Sequence, residues 1–346
     1  MISKRLVVVV GSGGVGKTTL AAALGVTSAI AGRDVLVMTF DPSLRLKDAL
    51  GVGDAALDSE VNLPLDAPGR LAVSLLDAKK TFDRLIDRYA ANASSRERIL
   101  ANRFYQNLAG SLAGVLEYMA VERLYEAAGE VETRQIILDT PPTRQALDFL
   151  GAPERIVGFL DSGALRIALK SWFDGAGHLK PTAHLGPLGR GVEAFLDRVV
   201  GLDLLRDMAE FFQAFEPLYQ GFRERATEVQ ELLRSPETLF VLVSGPGSER
   251  VADTLFFARR LAEHGHHLGP IVVNRVHPRT DQGTRDIRGL ELLEWLGDRD
   301  HRGVAELRDL LGDDHEVIAI PLLPEEPTNL DSLAHLGELL FTGGEG

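Results

Sequence analysis

The chain has 346 residues, with 50 Asp and Glu against 37 Lys and Arg, giving a formal net charge of −13. That balance argues against a general grip on nucleic acid or anionic lipid, since both need clustered Lys and Arg. There is no cysteine, which excludes disulfides, thiolate metal sites, iron–sulfur clusters and cysteine nucleophiles from the sequence given.

The start, MISKRLVVVV, has a charged opening and an apolar run. The run is short and a glycine-rich motif follows in place of a cleavage site, so it reads as a buried strand, Arg5 to Val10, and not as a signal peptide. No stretch approaches the roughly 20 apolar residues of a membrane span, and a cytoplasmic location is expected. Lys17 to Ala31 reads as a helix stopped by Gly32. Further strands are expected at Asp34 to Phe40, Leu71 to Leu75, Gln135 to Leu138, Thr238 to Val243, Leu268 to Val273 and Glu316 to Ile320, with a helix at Ser248 to His264. Continuous apolar runs separated by helices predict an α/β fold, a doubly wound and mostly parallel sheet. Two helical insertions, approximately 77–132 and 153–234, interrupt it to form a helical subdomain within a single domain spanning 1–346. The second insertion is broken by a Gly/Pro-rich segment from Gly175 to Gly191.

Residues 11–19 read GSGGVGKTT. Gly11, Gly16, Lys17 and Thr18 satisfy G-x-x-x-x-G-K-[ST] between a predicted strand and a predicted helix. Glycines let successive N–H groups face one anion, and the helix start adds its positive end. The spacing predicts a P-loop for a nucleoside triphosphate, with Mg-ATP favoured. Gly13, Gly14, Val15, Gly16, Lys17, Thr18 and Thr19 would cradle the phosphates, and Thr18 would meet Mg²⁺. Gly11, Gly13 and Gly16 also match G-x-G-x-x-G, with Asp41 to hold a ribose, but a dinucleotide site has no use for Lys-Thr-Thr. A plain glycine turn is the third reading. Asp139 ends an apolar strand, the arrangement that holds a magnesium shell, or else it is a turn former. Asp41 ends another strand and would position water, or cap the turn at Pro42.

The loop GSGGVGKTT, FDPSLRLKDALG, LDTPPTRQALDFLGAP and IPLLPEEP occur here in the order found in the arsenite-pump ATPase family. This family includes ATPases that target tail-anchored membrane proteins and belongs to the dimerising, deviant Walker A group. The chain resembles it over most of its length, and SLAGVLEYMAVERLYE makes it similar to bacterial members. The resemblance implies an ATP-hydrolysing dimer that couples nucleotide state to a protein or membrane-associated client. It implies that Asp41 positions water and joins Thr18 and Asp139 around the metal, that Asn274 reads adenine, and that Pro321, Leu322, Leu323 and Pro324 flank the base. The family's signature lysine is Ser12 here. Hydrolysis is then slow, or Arg45 or Arg144 substitutes, or a lysine-bearing paralogue completes a heterodimer around a non-hydrolysing subunit. Without cysteine, the family's arsenite site and zinc clasp cannot be carried over. Phe195, Phe211 and the stretch from Phe215 to Phe222 would line a client groove or pack internally.

Overall fold

The computed structural model describes residues 1–40, 45–52, 56–57, 59–111, 115–130, 133–161, 207, 210–211, 214–215, 218–279 and 289–343. They belong to two compact units, Met1–Leu76 with Glu126–Leu150 and Gln230–Gly346, and Asp77–Tyr125 with Gly151–Val229.

The first unit is built on an eight-stranded sheet. Its strands are β1 (Leu6–Gly11), β2 (Val35–Thr39), β3 (Val61–Asn62), β4 (Leu71–Leu75), β5 (Gln135–Asp139), β6 (Thr238–Ser244), β7 (Leu268–Val276) and β8 (Val317–Pro321). The spatial order is β3-β4-β2-β5-β1-β6-β7-β8, and every pair is parallel except β3 with β4. The α/β class is therefore as the sequence predicts. Strand β3, two residues at the edge, is too short to leave a pattern. Strand β7 runs three residues past Val273, because β8 pairs again at Val276↔Pro321 after a register shift.

Among the described residues, the α-helices are α1 (Lys17–Ile30), α2 (Arg45–Leu50), α3 (Ala78–Tyr89), α4 (Ala93–Ala101), α5 (Arg103–Ser111), α6 (Val115–Glu130), α7 (Thr143–Leu150), α8 (Ala152–Asp161), α9 (Tyr219–Arg234), α10 (Val251–Glu263), α11 (Leu290–Leu311) and α12 (Leu330–Thr342). Residues Leu6 to Val10 of β1 are all buried, as both faces of a parallel strand require. Val7 and Val9 join Leu20 and Leu24 of α1 and Leu333, Leu336 and Leu340 of α12 in one apolar cluster. Helices α1 and α12 come close because position 337 is glycine: a Cβ there would lie 1.8 Å from Thr27 Oγ1.

The second unit is helical, and its described core is aromatic. Phe82 meets Tyr105 edge-on at 5.0 Å and Phe215 at 5.9 Å between centroids. Phe211 stacks on Phe215 at 5.2 Å, geometries that rings prefer over a face-to-face sandwich. The Tyr105 hydroxyl donates to Asp83; burial, helped by that carboxylate, pushes the phenol pKa up. Arg225 Nε donates to both oxygens of Glu122 at 2.7 and 3.0 Å, and its guanidinium lies over the Tyr89 ring, 4.2 Å from the centroid. Phe211, Phe215 and Phe222 are buried, which favours internal packing for these three. Phe195 lies outside the described residues.

Candidate functional site

Strand β1 lies between β5 and β6, so the chain leaves its carboxyl end at a switch in strand order, the place where open α/β sheets bind ligands. A Cβ at Gly11 would lie 2.0 Å from the Val243 carbonyl oxygen, so the strand must end in glycine to stay paired with β6. Gly16, at φ 94°, is the N-cap of α1 in a left-handed conformation that an L side chain rarely adopts. No side chain caps α1, and its first turn has no acidic residue. Its leading N–H groups and positive end are thus left for an anion.

Three side chains converge behind this loop. Lys17 is 7% exposed, and its ammonium donates to the Ser12 carbonyl oxygen at 2.9 Å, arching over the loop. Thr18 Oγ1 donates to Asp139 Oδ2 at 2.8 Å. Thr39 Oγ1 donates to the same oxygen at 2.9 Å, because the β2–β5 register sets Thr39 opposite Asp139. Thr140, the next residue, donates its hydroxyl to the Val9 carbonyl oxygen at 2.8 Å. Asp139 is fully buried. Among the described residues, no group of three or more His, Cys, Asp or Glu could hold a metal by itself. A hydroxyl beside a carboxylate suits Mg²⁺, which takes few protein ligands and fills its shell with water and phosphate oxygens.

A cavity of about 240 Å³ opens nearby, lined in part by Thr19, Asn274, Arg275, Pro321, Leu322 and Leu323. It falls below the roughly 300–1,000 Å³ of a whole small-molecule site, a size for one part of a ligand. The Leu322 N–H donates to the Val276 carbonyl oxygen at 2.8 Å, holding the segment after β8 alongside β7. Arg275 reaches Glu326 with Nη2–Oε1 3.1 Å. Past the cavity, β7 is anchored to α11. His277 donates from its backbone N–H at 3.1 Å and from Nδ1 at 2.7 Å to Asp300 Oδ2, while Arg299 Nη2 donates to Oδ1 at 2.7 Å. Burial alone would raise the Asp300 pKa, but the bonds from His277 and Arg299 outweigh it and the net shift is downward.

The structure thus gathers Lys17, Thr18 and Asp139 at the loop, and Asn274, Pro321, Leu322 and Leu323 at the cavity. A Cβ on Gly13 would sit 3.7 Å from Pro142 Cβ, so the loop also faces the turn after β5. Pro324 is not among the cavity's lining residues. Asp41 lies outside the described residues, as do the side chains of Arg45 and Arg144. Thr39 and Arg275 were not singled out from the sequence. Thr39 needs the strand register to be noticed, and Arg275 stands out only by its backbone, at φ 63°.

Residues 4–170 match the family model described as anion-transporting ATPase. Similar proteins include an ATPase GET3 from Malassezia globosa, 27% identical over 333 residues that cover 96% of this chain and 89% of that protein. A putative arsenical pump-driving ATPase 1 from Aquifex aeolicus is 25% identical over 345 residues, covering 97% of this chain and 78% of its own length. An ATPase GET3B from Arabidopsis thaliana is 24% identical over 354 residues, covering 96% and 77%.

Proposed function

Because residues 4–170 match the family model described as anion-transporting ATPase, we propose that the chain belongs to that family, binds Mg-ATP at residues 11–19 and hydrolyses it to ADP and phosphate. The observation that carries this reading is the Thr18–Asp139 hydrogen bond at 2.8 Å behind a P-loop sequence. Lys17 exchanges the Ser12 carbonyl for β- and γ-phosphate oxygens, and the N–H groups of Gly13 to Thr19 surround the phosphates. Thr18 and Asp139, with Asp41, would hold the magnesium shell, and the bound ion would supply positive charge against the phosphates. Asp41 positions the attacking water, because an unperturbed aspartate is a weak base. Asn274 with Pro321, Leu322, Leu323 and Pro324 takes the adenine.

The working unit in this reading is a cytoplasmic dimer that opens and closes with nucleotide state. The helical segments 77–132 and 153–234 pass that state to a protein or membrane-associated client. Nucleic acid is not a partner, consistent with the net charge of −13. Small-angle scattering that was identical with ATP, with ADP and without nucleotide would remove the dimer switch.

Ser12, in place of the family's lysine, favours a second reading: a non-hydrolysing subunit completed by a lysine-bearing paralogue. Steady-state ATPase assays of the purified chain, with Lys17→Ala, Asp41→Asn, Arg45→Ala and Arg144→Ala, separate the two. Turnover lost in one arginine variant that still binds ATP means that the arginine replaces the lysine. ATP binding with no turnover in the wild type would replace the stand-alone enzyme with the second reading.

A further inference from the structure

Asn274 is bonded to something other than a ligand. Its Nδ2 donates to the Val15 carbonyl oxygen at 2.8 Å, across 259 residues of sequence. Its Oδ1 accepts the Arg275 N–H at 3.0 Å. A carbonyl only accepts and an N–H only donates, so these two partners fix which way the amide is turned. Two further observations point to the same contact. Arg275 is the only non-glycine residue with positive φ among those described, at 63°, a conformation that bulky side chains avoid. A side chain on Gly16 would displace the amide, since a Cβ there would lie 2.4 Å from Asn274 Nδ2. The backbone of β7 is turned to hold the amide, and the loop is bare where the amide rests.

We propose that Asn274 is a positioning residue of the phosphate loop: its amide props the Val15–Gly16 corner, so that the grip on a triphosphate depends on Asn274 even when no base is present. A primary amide has two N–H groups and one carbonyl oxygen that can accept two hydrogen bonds. One N–H and one acceptor site are spent inside the protein, so one of each remains for a base edge. Base and loop are then held by a single planar group, and base occupancy is felt at the corner where α1 begins. This inference rests on the nucleotide reading above and adds to it a mechanical link between its two subsites.

The test is the affinity of Mg²⁺-tripolyphosphate, which has no base, measured beside that of Mg-ATP by competition against a fluorescent ATP analogue. The proteins are the wild type, Asn274→Leu, Asn274→Ser and Lys17→Ala; the smaller serine serves if leucine prevents folding, as judged by circular dichroism and thermal melting. Loss of one neutral hydrogen bond predicts that tripolyphosphate weakens by about three- to tenfold, and that ATP weakens at least as much. A merely structural role would lower the melting temperature and leave both affinities of the folded variant in place, which overturns the proposal. ATP weakened with tripolyphosphate unchanged overturns it too, and leaves Asn274 as a base reader alone. A wild type that binds neither probe, matching Lys17→Ala, would sink the nucleotide reading itself and the prop with it.

Discussion

Both units bury charge, but they dispose of it differently. In the sheet unit, Lys17 leans on a backbone carbonyl and Asp139 receives two hydroxyls. In the helical unit, Arg225 Nε is shared between the two oxygens of Glu122, and the guanidinium lies over the Tyr89 ring. Among these contacts, the carbonyl and the hydroxyls are neutral groups that a phosphate or a metal can displace at little cost. A matched ion pair offers no such exchange, and removing half of it leaves an uncompensated buried charge. The first arrangement is suited to a ligand, and the second holds helices together.

Breaking each arrangement tests that contrast. The largest effect is expected from Glu122→Ala, which strands the Arg225 guanidinium and destabilises the protein by about 3–5 kcal/mol in urea unfolding. Replacing both partners with leucine should cost less than the single change, and an equal loss would mean that the pair is more than a packing device. Next is Asp139→Asn, which keeps the shape and removes the charge. Its kcat is expected to fall about a hundred- to a thousandfold with thermal melting little changed; unaltered turnover would take Asp139 out of the chemistry. Gly337→Ala drives a Cβ toward Thr27 Oγ1 at 1.8 Å, and overpacking of this kind costs about 1–3 kcal/mol, read as a lower melting temperature without a change in kcat.

The last prediction compares pH values. The Asp300 pKa is lowered in the folded state, so its contribution is fully present above the ordinary aspartate value and is lost as pH falls through the folded value. Asn at position 300 should therefore show its greatest deficit against wild type near neutrality. The deficit should shrink below the ordinary aspartate value of 3.8; a gap that stayed constant into acid would remove the linkage.

Legibility in the sequence followed distance along the chain. Strand β1, the loop and α1 occupy one short segment whose pattern is complete within it, so the segment could be read directly. The end of β5 at Asp139 was legible because an apolar run stops in a carboxylate. The Asn274–Val15 bond spans 259 residues and the Arg225–Glu122 pair spans 103, and no spacing rule reaches that far. The sequence also ended β7 at Val273, which put Asn274 just past the strand. The strand continues to Val276 because of pairing with β8, a partner more than forty positions away. Thr39 was missed for a related reason, since only the β2–β5 register brings its hydroxyl to Asp139.

The division into units has a consequence for insertions and deletions. The chain passes between the two units at Leu76–Asp77, Tyr125–Glu126, Leu150–Gly151 and Val229–Gln230, and none of these junctions falls inside a strand. One residue added within β2 or β5 would turn Thr39 or Asp139 to the opposite face of the sheet, because side chains alternate along a strand. Residues added within the helical unit leave that ladder untouched. Chain length is therefore constrained residue by residue in one part of the molecule and negotiable in the other, which makes the helical unit the natural place to graft, shorten or exchange segments while the phosphate loop is kept intact.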